Sequence, residues 1–171
     1  AAIVSSMKRL AHPGNGTARP VDLNAALQAT IVIARPEYRD VADVVCELGP
    51  LPMVNGVELD LNQVFLNLIV NAAHAIADKH AGKGTISVRT LAAADSVSIE
   101  IADTGTGIPE HVLSRMYDPF FTTKEVGRGT GQGLSIALAI VRKHGGDLSC
   151  STTPGEGTRF TVQLPLNAAL A

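Results

Sequence analysis

An α+β domain in two layers, a mixed but mostly antiparallel sheet covered on one face by three helices, is the fold class that the sequence predicts. Three observations carry it. Segments near 22–35, 58–80 and 134–144 repeat apolar residues at helical spacing. Two pairs of shorter segments alternate apolar and polar residues across short turns, the pattern of antiparallel hairpins. The 171 residues, 46% of them hydrophobic, suffice for one buried core.

Taken in order, "IVSSMKRL" has the character of the last turns of a helix, and "HPGNGTARP", residues 12–20, stops it with two prolines and two glycines. The opening of the chain, in mid-pattern, reads as a cut from something longer. In "VDLNAALQATIVIA", Leu23, Ala26, Leu27 and Ile31 share a helical face, with Asp22 as the N-cap and Pro36 ending or bending the helix. "DVVCEL" is a short strand and "GPLP" a turn. The strongest helix begins near Glu58: Leu61, Val64, Phe65, Leu68, Ile69, Ala72 and Ile76 form one apolar face, and "AGKG" at 81–84 closes it. "TISVRTL" and "SVSIEIA" are strands joined by "AAAD". Residues 103–133 hold no sustained period, and a long irregular run inside a domain is usually functional. "LSIALAIVRKHGG" is a helix with cations in its last turn and a glycine stop. "DLSCST" and "GTRFTVQLP" are closing strands around a "TPGEG" turn.

Composition narrows the function. A net charge of -2, with 18% charged residues and few aromatics, provides neither the field nor the stacking platforms of a nucleic-acid binder. No apolar run approaches the ~18 residues needed to span a bilayer. Cys46 and Cys150, both in strand-like contexts, read as buried thiols in a reducing cytosol rather than as a disulfide framework.

Four stretches carry candidate chemistry. Gln63, Asn67, Asn71, His74 and Asp78 fall in one stripe opposite the apolar face of the central helix. Such a stripe is often a solvated face. Asn, however, is a mediocre helix former, and its side-chain oxygen is a fair Mg²⁺ ligand. "DTGTGIP", 103–109, follows a strand; it reads either as a turn or as backbone that approaches a flat ligand, with Asp103 accepting from an exocyclic amine. "YDPFFTTK", 117–124, sets adjacent phenylalanines in a loop, as a local core or a lid hinge, with Lys124 in reach of a phosphate. "GRGTGQGLS", 127–135, places glycine at every second position before an apolar helix. That favours a backbone cradle for phosphates at a helix N-terminus over a linker. It is neither a P-loop nor a dinucleotide-binding turn.

In this order the four stretches resemble the boxes of the catalytic ATP-binding domain of sensor histidine kinases, within the wider group of gyrase, Hsp90 and MutL ATPases. "NLIVNAAH" resembles the N box, "DTGTG" the first glycine box, "YDPFFTTK" the F box, "GRGTGQGLS" the second glycine box and "GTRFTVQLP" the closing strand. The resemblance spans residues 20–166 and implies the Bergerat ATP-binding fold. It also implies that residues 1–19 are the end of a dimerisation-hairpin helix plus linker, and that 20–171 are the catalytic domain.

It further implies ATP and Mg²⁺ as cofactors. Asn71 would be the metal ligand, and Asn67 would stand where the ATP-hydrolysing relatives carry a general-base Glu; Asn cannot take a proton, which fits phosphotransfer over fast hydrolysis. His74 would face the phosphates. Asp103 would bind the adenine amino group with help from Gly105, Gly107, Ile108 and Thr158. Thr123, Lys124, Gly129, Thr130, Gly131, Gln132, Gly133 and Leu134 would line the phosphates, and the lid would run from Lys124 to Gly133. Gln132 and Thr104 depart from the usual Leu and Asn of their boxes.

None of His12, His74, His80, His111 and His144 has the His-Glu or His-Asp context of a phosphoacceptor. The implied partners are therefore a dimerisation and phosphoacceptor domain outside these residues and a response-regulator receiver domain. The implied setting is a cytosolic domain of a homodimeric parent, with or without a membrane anchor. The rival readings are an anti-sigma-factor-type serine kinase, which shares the boxes, another ATPase of the wider group, and a partner-binding module without nucleotide.

Overall fold

The computed structural model describes residues 17–122 and 131–166. Its elements are β1 (Arg19–Val21), α1 (Leu23–Tyr38), β2 (Ala42–Leu48), β3 (Val54–Gly56), α2 (Glu58–Lys79), β4 (Gly84–Ala92), β5 (Ser96–Asp103), α3 (Glu110–Leu113), α4 (Gly133–Lys143), β6 (Asp147–Thr153) and β7 (Gly157–Pro165). The main sheet runs β2-β4-β5-β7-β6; β2 pairs with β4 in parallel and every other pairing is antiparallel. β1 and β3 form a separate two-stranded ribbon.

Period two along the strands places Ile86 and Val88 of β4, Val97, Ile99 and Ile101 of β5 and Phe160, Val162 and Leu164 of β7 on one buried face. α1, α2 and α4 cover that face. Ser87, Arg89 and Arg159 stand exposed on the other. This is the predicted two-layer α+β architecture. The predicted apolar face of the central helix is buried in full, from Leu61 to Ile76. Asp22 caps α1 as expected, its Oδ1 accepting from the Ala25 amide at 3.0 Å.

Several local expectations are corrected. Pro36 does not end α1, which runs on to Tyr38. Pro36 sits in the last turn on the exposed side, one turn after the exposed Val32 whose carbonyl it cannot serve, so the lost bond is cheap there. The stop of α2 is His80 in the left-handed region (φ 52°), ahead of the glycines at 82 and 84. The three-residue strands β1 and β3 are too short to show a period, and α3 interrupts the irregular run after Asp103. Cys46 is not a buried thiol. It lies exposed on the edge strand β2, which has a neighbour on one side only. Cys150 is half-buried on the opposite edge strand, β6.

Candidate functional site

α2 and α4 run antiparallel and are fastened at three levels. At one end Asn67 Nδ2 donates to the Gly133 carbonyl at 2.9 Å. At the other, Lys143 Nζ meets the buried Asp60 carboxylate at 3.0 Å, and the Val57 amide donates to His144 Nε2 at 3.0 Å. Asp60 lies in the first turn of α2 and Lys143 in the last turn of α4, so the pair also complements both helix dipoles. The N-terminus of α4 is thereby held against the polar stripe of α2. Among the described residues no side-chain cap is seen at that N-terminus: Gln132, at the cap position, makes no capping bond with its side chain, and Ser135 Oγ donates to the Gln132 carbonyl. Among the described residues the first-turn amides of α4 have no side-chain cap to compete with an anion.

The stripe is not a solvated face along its length. Gln63, Asn67, Asn71 and His74 are half-buried, and Asp78 alone is exposed. Asn71, His74, Asp78 and Gln132 all interact with neighbouring groups. Gln63 Nε2 donates to Asn67 Oδ1 at 3.3 Å, which links the stripe to α4.

Asp103 ends β5, opposite Thr158 of β7. Its Oδ1 accepts from the Gly105 amide at 2.8 Å. Burial pushes its carboxyl up to about 6, while the Gly105 and Thr158 amides and the Lys79 charge pull the other way. Beyond it the chain is pinned on both sides. The Thr106 amide donates to the Ala75 carbonyl of α2 at 3.2 Å, and the Gly155 amide to the Thr106 carbonyl at 2.7 Å.

The glycines of this stretch meet close protein contacts. A Cβ on Gly105 would lie 2.6 Å from the Ala75 carbonyl carbon. Gly107 has φ +69°, and a Cβ there would lie 2.3 Å from the Thr153 carbonyl oxygen. These fits fasten the Asp103 loop to α2 and to the β6–β7 turn.

Thr152 is a site residue that the sequence reading passed over. Its Oγ1 accepts from the Ile108 amide at 2.9 Å and donates to the Gly157 carbonyl at 2.9 Å. With its only proton spent, it must accept from Thr158 Oγ1, which lies 3.0 Å away. The buried Thr158 hydroxyl thus turns only lone pairs toward any further partner. The available signal was period two: Thr152 and Thr158 both face inward on paired strands at a position too polar for the core.

The F-box stretch is only partly as expected. Phe121 is half-buried with the Arg115 guanidinium 4.5 Å above its ring. Phe120 packs nothing down: it is 73% exposed at φ 67°. Its backbone abuts Gly131, which brings the start of the loop back to its end. Leu134 packs against the core at the head of α4. Thr123, Lys124, Gly129 and Thr130 lie outside the described residues, as does most of the predicted lid.

Among the described residues no three His, Cys, Asp or Glu side chains gather as a metal site. A cation here would have to be shared with a ligand's oxygens and water, which suits Mg²⁺ on an Asn oxygen. No helix among the described residues is long and apolar enough to cross a membrane.

Comparison with known proteins finds histidine kinases similar to this chain in sequence and fold. AtoS of Escherichia coli (strain K12), a signal transduction histidine-protein kinase, is 33% identical over 168 residues, 96% of this chain and 27% of that protein. The sensor kinase CckA of Brucella abortus (strain 2308) is 36% identical over 163 residues, 77% of this chain and 17% of that protein. The chain thus spans about a quarter or less of the length of these relatives. Among solved structures, the nucleotide-free catalytic domain of histidine kinase ThkA superposes with TM-score 0.76 at 27% identity, covering 88% of this chain and 99% of that one. Full-length ShkA in complex with AMPPNP superposes with TM-score 0.77 at 25% identity, covering 98% and 35%. Residues 56–168, from the end of β3 to just past β7, match the family described as histidine kinase-, DNA gyrase B- and HSP90-like ATPases, and the chain belongs to that family.

Proposed function

We propose that this chain is the ATP-binding catalytic domain of a sensor histidine kinase. It would deliver the γ-phosphoryl group of ATP to an imidazole nitrogen on a separate dimerisation domain: the bond from phosphorus to the β,γ-bridging oxygen breaks, a P–N bond forms, and ADP departs. The observation that carries this reading is the Asn67–Gly133 hydrogen bond, which holds the N-terminus of α4 beside the Asn-bearing stripe of α2. Phosphates would take the first-turn amides of α4 together with Gly131 and Gln132, and His74 would face them. Thr123, Lys124, Gly129 and Thr130 would complete the phosphate contacts. Asn71 would hold Mg²⁺, which neutralises phosphate charge when bound. Adenine would present its amino group to the second oxygen of Asp103, with Ile108 beside it and the Thr158 lone pairs as further acceptors. Asn67 is no base and would serve as an anchor.

The relatives' names favour this reading over an anti-sigma-factor-type serine kinase. The implied partners are the parent's own phosphoacceptor domain, in a homodimer, and a receiver domain of a response regulator. A domain that consumes ATP would work on the cytosolic side. Calorimetric titration with a non-hydrolysable ATP analogue, with and without Mg²⁺, tests the core of it. Binding that Mg²⁺ strengthens and GTP does not compete away is the expected result; no binding in either condition sinks it.

A further inference from the structure

The amide relay between α2 and α4 has a direction that its geometry fixes. The Gly133 carbonyl can only accept, so the Asn67 atom 2.9 Å from it is Nδ2. Asn67 then turns Oδ1 toward Gln63, and Gln63 must answer with Nε2, at 3.3 Å. That choice leaves Gln63 Oε1 buried with no hydrogen-bond partner among the described residues. A buried acceptor left unmatched destabilises a fold, and such groups in native structures call for an explanation. A residue chosen for stability alone at this half-buried helical position would be apolar.

We infer that Gln63 is a positioning residue: by donating to Asn67 it locks that amide in the orientation that tethers Gly133, and so sets where the phosphate-facing N-terminus of α4 lies relative to Asn71. The inference rests on the functional reading above for its consequence in nucleotide binding. Its structural content is independent of that reading. Gln63 stands one turn before Asn67 and two before Asn71, on the same stripe, so a single helix face carries the support, the tether and the metal ligand. Gln63 itself need not touch nucleotide.

The test separates support from mere structure, because the two predict opposite signs. Gln63→Met keeps length and bulk, removes the donor and also removes the orphaned acceptor. The 171-residue chain carrying it should unfold at the same denaturant concentration as wild type or a higher one. Its affinity for a non-hydrolysable ATP analogue with Mg²⁺ should fall about tenfold. Amide exchange at Ile136 and Ala137, the first hydrogen-bonded amides of α4, should quicken without nucleotide. In an Asn67→Ala background, Gln63→Met should change affinity little further. Parallel loss of stability and affinity would overturn the inference, as would an undiminished effect in the Asn67→Ala background. If wild type binds no ATP analogue, the functional reading fails and exchange alone decides the relay: faster exchange in Gln63→Met upholds it, unchanged exchange overturns it.

Discussion

The backbone amide of Val57 donates to Nε2 of His144 at 3.0 Å, across 87 positions of sequence. His144 Nδ1 lies 2.8 Å from the Ile140 carbonyl, which accepts only. The ring therefore carries its proton on Nδ1 and offers a bare Nε2 to Val57. His144 is 1% exposed, and Val57, whose apolar side chain cannot cap α2, is buried as well. A residue from the end of α4 thus takes up a donor at the start of the helix that bears the stripe.

Two substitutions at His144 should separate its hydrogen bond from its bulk. His144→Ala removes both and leaves the Val57 amide unmatched in a cavity, at a cost of about 3 kcal/mol. His144→Phe fills the space and leaves the amide unmatched, at a cost of about 1–2 kcal/mol. Denaturant midpoints at constant m-value measure both. Equal stability of wild type and the Phe variant would remove the hydrogen bond from the account.

Asn71→Ala tests the metal. The helix gains propensity from the change, which offsets part of the contact that Asn71 gives up, so the variant should stay folded at 25 °C. The ATP analogue should bind this variant with nearly equal affinity with and without Mg²⁺, whereas wild type should gain at least about tenfold from the metal. An Mg²⁺ gain that survives in Asn71→Ala, measured by calorimetry, would move the metal off Asn71.

Much of this arrangement was legible in the sequence because it is periodic. Leu61 through Ile76 repeat along one helix face, and Ile99, Ile101, Val162 and Leu164 alternate along paired strands, so burial follows from spacing alone. The Asp22 cap was legible because its partner lies three residues away. Partners far along the chain left no such trace. Nothing near Cys46 says that β2 is an edge strand. Nothing near His80 says that it, rather than Gly82, turns the chain. Phe120 and Phe121 are adjacent and alike, yet one lies under Arg115 and the other is exposed at positive φ. Thr152 and Gln63 gain their roles only from Thr158, Ile108 and Asn67.

Two glycines should respond in opposite ways to Ala. Gly107→Ala sets a Cβ against the Thr153 carbonyl at φ +69°, and should cost about 2 kcal/mol or more. Gly133 opens α4, and a Cβ there meets Asn67 at no closer than 3.7 Å, an ordinary contact. Gly133→Ala should therefore leave stability unchanged or raise it by up to about 1 kcal/mol. Among the described residues nothing crowds a Cβ at 133; on the proposed function, phosphates approaching the helix N-terminus would. Affinity for the ATP analogue should accordingly fall in Gly133→Ala while its unfolding midpoint holds. A variant that binds as wild type does would show that phosphates do not come close to this backbone.

Asp103 should set stability against function. Its carboxyl is held near 6 in the fold against an ordinary 3.8, chiefly by burial, so the folded chain holds that proton more tightly than the unfolded one. The stability this confers is complete below about pH 4 and is lost as pH rises through 6. At pH 7.5 the charged carboxylate therefore costs the nucleotide-free fold about 3 kcal/mol. Asp103→Asn keeps an oxygen for the Gly105 amide and discards the charge. It should raise stability at pH 7.5 by about 1–3 kcal/mol and have little effect at pH 4. Binding should move the other way. On the proposed function the carboxylate oxygen left over from Gly105 would accept from the adenine amino group, and an Asn would present its own N–H₂ there, donor against donor. Loss of a charge-assisted bond costs about 2 kcal/mol, or some thirtyfold in affinity. In wild type, affinity should fall as pH drops through 6 and Asp103 takes up its proton, and in Asp103→Asn that pH dependence should vanish. Chemical denaturation and analogue titration across pH 5–8 measure both halves. A variant that is less stable at pH 7.5, or wild-type binding that is flat from 5 to 8, would show that Asp103 does not carry an uncompensated charge into the site.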